Sequence, residues 1–146
     1  MNQHNRTLDS AWWALRIGLG AGPFLAGLDK FFNLLTDWGT YLSPAMARVL
    51  PVSGPVFMRT VGVIEMIVGL MILTRWTRIG AYVASAWLVC IALNLLTTGN
   101  FFDIAVRDVE IALGAYTLAR LTEWRESRAQ SAETSFEAGR RRVNAA

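Results

Sequence analysis

One apolar run, from residue 79 to residue 96, contains no charged side chain and limits what this chain can fold into. As an α-helix it rises about 1.5 Å per residue, so with its flanks it approaches the roughly 30 Å thickness of a bilayer's hydrocarbon core. Hydrophobic residues make up 53% of the 146 residues, which is more than a soluble domain of this size usually carries. The run therefore predicts a transmembrane helix.

Three further stretches have a similar length, although each contains a charged residue. With the charge-free run, the predicted spans cover residues 11–35, 56–74, 78–97 and 102–121. A backbone in lipid must satisfy its own hydrogen bonds, and these stretches lack the alternation of a barrel strand. The sequence predicts an all-α fold, an integral membrane four-helix bundle over residues 11–121. Residues 1–10 form a short terminal segment, and residues 122–146 form a polar tail, partly helical where the fourth span continues.

Arginine placement predicts the orientation of this bundle. One set of helix ends is flanked by Arg6, Arg75, Arg78, Arg120, Arg125 and Arg128. The loop after the third span contains no basic residue, whereas Arg48 and Arg59 lie on its side of the bundle. Because basic residues concentrate on the cytoplasmic side, we expect both termini to be cytoplasmic.

Local sequence signals mark where the helices begin. Ser43 before Pro44 is a good N-cap and first-turn pair, so a short helix is expected in the loop between spans one and two. Ser53 suits the start of the second span, and Asn100 with Asp103 resembles a capping box for the fourth.

The loop between spans one and two is long and contains two aromatic residues, Trp38 and Tyr41. These side chains are typical of anchors at the level of the lipid headgroups. Two interpretations stay open: the loop is a lid over the outer mouth of the bundle, or it is only an aromatic belt.

Small and ionisable residues share helix faces at steps of three and four residues. In span one the face is Arg16, Gly20, Pro23, Gly27 and Lys30; in span two it is Gly62, Glu65 and Gly69; in span four it is Ala105, Asp108, Ala112, Ala115 and Ala119. Small residues allow membrane helices to approach closely. Glu65 and Asp108 are therefore expected to point toward the centre of the bundle.

These positions predict a polar pocket near the outer face, formed by Lys30, Glu65, Asn94 and Asp108, with Arg16 on the opposite, cytoplasmic side. Arg107 is expected to pair with Asp103 one turn earlier. Two interpretations of the pocket stay open. The charges either lock the register of the helices, or bind a polar head group or relay protons.

Residues that the sequence lacks, or places elsewhere, exclude several mechanisms. The one histidine, His4, precedes the first span, and the one cysteine, Cys90, lies inside the third. A histidine-ligated haem or metal site in the membrane and a dithiol relay are thus excluded, and no nucleotide or nucleic-acid motif is present. Redox chemistry would need a bound carrier such as a quinone, or a partner subunit with its own cofactor.

Four segments together resemble the DoxX family of small four-helix membrane proteins. They are LRIGLGAGPFLAGLDKF, GVIEMIVGLMIL, RIGAYVASAWLV and FDIAVRDVEIALGAYTLARL. The resemblance covers roughly residues 11–121, and its charged pattern falls on Arg16, Lys30, Glu65 and Asp108. It implies a multi-pass protein of the bacterial inner membrane that is associated with redox enzymes, either as a quinone-linked subunit or as a scaffold. The sequence gives no sign of the separate soluble domain expected for thiosulfate oxidation, so we do not expect that activity from this chain by itself.

Two functional hypotheses follow. In the first, a quinone-linked oxidoreductase subunit uses Lys30 or Arg16 to hydrogen-bond a quinone carbonyl, with Asn94 and Arg107 as further quinone-binding residues. Glu65 or Asp108 exchanges protons as the catalytic acid or base. In the second, a non-catalytic anchor docks a soluble redox enzyme. Membrane lipid is the expected surrounding in both, and a homo-oligomer is compatible with both; a transporter is a third, more distant hypothesis.

Overall fold

The structure, a computed structural model, describes residues 3–144. Within them the chain forms α1 (Gln3–Asp29), α2 (Pro44–Val49), α3 (Gly54–Leu73), α4 (Thr77–Leu96) and α5 (Phe102–Asn144), with one 3-10 turn at Trp38–Tyr41. The four long helices are what the apolar runs predicted, and no strand occurs among these residues. The predicted all-α fold class is therefore confirmed.

Three helix boundaries differ clearly from the predicted spans. α1 begins at Gln3 rather than at residue 11, so the described part of the predicted terminal segment 1–10 belongs to this helix. α1 ends at Asp29 rather than at residue 35, because the Asp29 carboxylate accepts hydrogen bonds from the backbone N–H groups of Leu34 and Leu35, and Asn33 adopts a left-handed φ of 52°. α5 continues without a break past residue 121 to Asn144, so the polar tail is helical along its described length. Residues 1–2 of the predicted amino-terminal segment and residues 145–146 of the predicted tail lie outside the described residues.

The predicted helix starts have mixed outcomes. Ser43 caps α2 as expected, since its Oγ accepts the N–H of Met46 at 3.1 Å. Ser53 stands at the N-cap of α3 without a side-chain cap. The capping box at Asn100 is wrong: Phe101 precedes α5 with a left-handed φ of 54°, and the Asn100 amide donates to the Thr98 carbonyl instead.

α1 and α3 pack together through pairs of glycines. A Cβ atom on Gly69 would lie 2.5 Å from the carbonyl oxygen of Gly20, and one on Gly62 would lie 2.5 Å from that of Gly27. Such distances exclude any side chain, so the two backbones touch at two points along antiparallel helices. The predicted small-residue face brings these helices together, as expected for close helix contacts.

α4 and α5 pack through small side chains of another kind. The face predicted for the fourth span, Ala105, Asp108, Ala112, Ala115 and Ala119, is buried throughout. On α4, Ala81, Ala84 and Ala92 are buried too, and the Ser85 hydroxyl donates to the Ala112 carbonyl at 2.9 Å. α3 also contacts α4, and α1 contacts α5, so the four long helices form a closed ring.

Two helices in the described part of the chain are long and apolar enough to cross a membrane: α3 and α4. The molecule has two distinct ends. We call the end that carries residues 30–53 the loop end. The opposite end, where α5 extends past the turn between α3 and α4, is the tail end.

Candidate functional site

Lys30 and Glu65 form a buried ion pair near the loop end. Lys30 Nζ donates to Glu65 Oε2 at 2.5 Å, and the two side chains are only 5% and 10% exposed. Lys30 directly follows the end of α1, while Glu65 lies in the middle of α3. The backbone contact between Gly27 and Gly62 holds the helices close enough for the two side chains to meet.

Trp38 covers this ion pair. Its ring centroid lies 3.7 Å from Lys30 Nζ, within the range of a cation–π interaction. The ring is held in place because Trp38 Nε1 donates to Asp29 Oδ2 at 2.8 Å. The Asp29 carboxylate also accepts hydrogen bonds from the backbone after α1. One carboxylate therefore positions both the first part of the loop and the Trp38 ring that covers the Lys30 ammonium.

Asp108 of α5 is the third charged group of the cluster. It is 9% exposed and near enough to interact electrostatically with Lys30 and with Glu65. Among residues 3–144, no side chain or backbone N–H forms a hydrogen bond or ion pair with its carboxylate. Counting Asp29, whose carboxylate also interacts electrostatically with Lys30, three carboxylates surround one ammonium. Asp108 can accept a proton or a hydrogen-bond donor without breaking a hydrogen bond of its own in the described chain.

Asn94 was predicted to be part of the charged cluster, and this prediction is wrong. Its Nδ2 donates to the Tyr41 carbonyl at 2.8 Å, and its Oδ1 accepts the Ser43 N–H at 3.4 Å. The Tyr41 ring packs edge-on against Phe101 at 4.9 Å between ring centroids. Asn94 therefore fastens the loop to α4, because its amide can satisfy both a donor and an acceptor of the loop backbone.

Arg16 lies at the tail end, on the side that the sequence predicted. Its Nε donates to the Ile72 carbonyl at 3.0 Å, and its Nη2 donates to Leu73 at 2.9 Å and Thr74 at 2.5 Å. These are terminal carbonyls of α3, which have no partner within the helix. Arg16 thus caps α3 and is far along α1 from the Lys30–Glu65 pair.

Arg107 is exposed on α5, and its charge interacts with the neighbouring carboxylate of Asp108. In the described structure no ion pair joins it to Asp103, which is also exposed. The predicted pairing is therefore not found.

Sequence reasoning missed what Asp29 and Trp38 do. The Asp29-Lys30 dipeptide was visible, but its relation to Trp38 depends on the path of the loop, which no periodicity encodes. The residues of the glycine and alanine faces were predicted, because helical periodicity does encode them.

No group of three or more metal-ligand side chains occurs within the part of the chain described. The side chain of His4 lies outside the described residues. Cys90 is an exposed free thiol on α4.

Compared with known protein families, curated proteins and solved structures, the chain matches none of them.

Proposed function

We propose that this chain is an integral membrane protein. The support comes from α3 and α4, whose apolar segments are only 33% and 28% buried inside the protein. The core helix of a soluble protein would be mostly buried, whereas these helices present most of their apolar surface outward. Lipid is the surrounding that accommodates such surfaces on every side.

α1 and α5 complete the proposed four-helix membrane bundle. Both carry exposed apolar side chains over the length of α3 and α4: Trp13, Ile17, Leu25 and Leu28 on α1, and Phe102, Val106, Val109, Leu113 and Tyr116 on α5. We call the exposed apolar surface of the four long helices the apolar belt. It supports a multi-pass membrane protein. The resemblance adds the bacterial inner membrane, and the arginine-rich tail end favours an orientation with both termini in the cytoplasm.

Within this frame we propose a redox-associated membrane subunit of the DoxX type that binds a quinone at the Lys30–Glu65–Asp108 cluster. The observation that carries the proposal is the Asp108 carboxylate, buried beside a paired ammonium and without a hydrogen-bond partner of its own in the described chain. Ionisable groups at this depth are costly, and they commonly mark pathways for protons or polar head groups.

The roles follow from the donors and acceptors present. The Lys30 ammonium has three N–H donors, one of them used by Glu65, so it can also hydrogen-bond a quinone carbonyl. Asp108 can hold a proton near that carbonyl as an acid or base. A bound quinone would supply the two-electron chemistry. Access requires Trp38 to move from its place above Lys30, which makes the loop the entrance to the site.

The test compares Asp108→Asn with Asp103→Asn, an exposed carboxylate on the same helix. We expect Asp108→Asn to lower the rate of quinone-dependent electron transfer in membranes at least about 100-fold, because an amide cannot exchange the proton. The amount of protein in the membrane should stay the same. Asp103→Asn should leave the rate unchanged. Equal rates in the unmodified protein and in both variants would refute the quinone site.

A non-catalytic scaffold is the second candidate. It is favoured by the mutual satisfaction of Lys30 and Glu65 and by the exposed polar helix that α5 forms beyond Ala129. Purification in mild detergent separates the two candidates. A co-purifying soluble redox enzyme that is lost on removal of residues 130–146 supports the scaffold, whereas bound quinone detected by mass spectrometry supports the first proposal.

A further inference from the structure

A cleft of about 650 Å³ opens at the tail end, remote from the charged cluster. It lies between the first half of α1, the turn between α3 and α4, and the polar part of α5. Its walls include Trp12, Arg16, Arg75, Thr77, Trp124 and Arg125. We call it the arginine cleft.

Two guanidinium groups of the arginine cleft share one aromatic ring. The Cζ atoms of Arg16 and Arg125 lie 4.8 Å and 4.4 Å from the centroid of Trp12. Trp12 itself is fixed by a buried hydrogen bond from its Nε1 to Thr122 Oγ1, 2.8 Å long. Arg16 is held by its three carbonyl contacts, so its position is set before any ligand arrives.

The positive charge of the cleft exceeds its negative charge. Asp9 is engaged by Arg125, and Glu126 is engaged by Arg78 at 2.7 Å. In the part of the chain that the structure describes, neither Arg16 nor Arg75 has a carboxylate partner. Guanidinium groups without counter-charges are effective donors to phosphate oxygens, and Arg16 is already held in place by its carbonyl contacts.

The arginine cleft lies at the edge of the apolar belt. The exposed apolar side chains of α3 end at Leu73, those of α4 begin at Ile79, and on α5 they become sparse after Tyr116. This location rests on the proposed membrane placement, in which the tail end meets the cytoplasmic headgroups. Anionic lipids are enriched there, and basic pockets between membrane helices bind their headgroups.

We propose that the arginine cleft binds the phosphate of an anionic phospholipid, with Arg16 and Arg75 as its phosphate ligands. The indole rings of Trp12 and Trp124 would contact the glycerol and the first acyl carbons. A soluble phosphate offers the same charge and the same acceptors. It would fill only a small part of the cleft and would leave both rings without a partner, so we commit to the lipid.

The test is native mass spectrometry of the full chain in neutral detergent, titrated with phosphatidylglycerol or with phosphatidylcholine of the same acyl chains. Arg75→Gln is the main variant, because this exposed side chain caps no helix. Arg59→Gln, exposed at the other end of α3, is the matched control. Arg16→Gln is a secondary variant because it also removes the cap of α3.

We expect one phosphatidylglycerol to bind more tightly than phosphatidylcholine, and Arg75→Gln to weaken that binding about fivefold. Arg59→Gln should have no effect. Equal affinity for both lipids, or equal losses in Arg75→Gln and Arg59→Gln, would overturn the site. Inorganic phosphate and glycerol 3-phosphate are added as competitors. Displacement of the lipid at concentrations equal to its own would assign the cleft to a soluble phosphate and overturn the lipid proposal.

Discussion

Burying the charge of Lys30 or of Glu65 alone has a large unfavourable free energy of desolvation. The two opposite charges offset this free energy because they are buried together. An ion in a low-dielectric interior loses its hydration, which only a well-placed counter-charge offsets. Trp38 adds its ring face to the ammonium. If the pair fixes the register of α1 against α3, its loss should lower the stability of the bundle whether or not the cluster also has a chemical role.

A mutant cycle at this pair measures that contribution. We expect Lys30→Met to lower the free energy of unfolding in detergent by about 3 kcal/mol, because it leaves Glu65 buried without a counter-charge. Lys30→Met combined with Glu65→Leu should recover most of the loss. The control is Arg78→Met, which removes a pair whose side chains are 47% and 46% exposed and should change stability little. Equal effects of Lys30→Met and Arg78→Met would contradict this account.

Among the helices, the contact of α1 with α3 depends on residues that have no side chain. The Cβ atom of Gly62→Ala would meet the Gly27 carbonyl oxygen at 2.5 Å, and backbone cannot move aside as a flexible side chain can. We expect a loss of about 2 kcal/mol in the free energy of unfolding. Gly22→Ala is the control, since no atom lies within 4 Å of its Cβ position, and it should stabilise α1 slightly. Chemical denaturation of both variants decides the matter, and a stable Gly62→Ala would refute the close contact.

The first part of α5 packs against the other helices, and its last part is exposed to the surroundings. The change from one to the other falls between Leu121 and Ala129. Thr122 accepts the hydrogen bond of Trp12 at 2.8 Å, and Glu123 accepts that of Tyr82 at 2.9 Å. Beyond residue 129 the described side chains are exposed.

Truncation should reveal this division. Removal of residues 130–146 is expected to change the free energy of unfolding by no more than about 0.5 kcal/mol. Removal of residues 122–146 should cost about 2 kcal/mol, because it deletes the Trp12–Thr122 and Tyr82–Glu123 hydrogen bonds. It also deletes the ion pairs of Arg125 with Asp9 and of Glu126 with Arg78, which are partly exposed and add little. Thermal melts of both truncated chains test this prediction, which fails if the shorter deletion is as damaging as the longer one.

Across the whole molecule, the apolar belt is the feature on which the proposed membrane placement rests. Cys90 is an internal probe, because its exposed thiol lies in α4 well away from both helix ends. In proteoliposomes we expect a water-soluble maleimide to leave Cys90 unmodified, since a polar reagent does not enter the hydrocarbon core. In dodecyl sulfate the same reagent should label it fully. Rapid labelling in the intact vesicle would mean that this face of α4 is wet and would refute the membrane placement.

Some parts of the fold and of the site were predictable from residue spacing. Helical periodicity placed Gly62, Glu65 and Asp108 on inward faces, and each of them is buried. Periodicity could not show that Asn94 bonds to the loop, or that Phe101 rather than Asn100 precedes α5. Those outcomes depend on backbone dihedral angles and on segments distant in sequence.

The sequence by itself determined the helices and their apolar and small-residue faces, because both are properties of neighbours within a turn or two along the chain. Only the tertiary structure decided that Lys30 pairs with Glu65, that Trp38 covers them and that Arg16 caps α3. Each of these contacts joins different helices or a helix and a loop, and their partners are set by how closely the backbones approach.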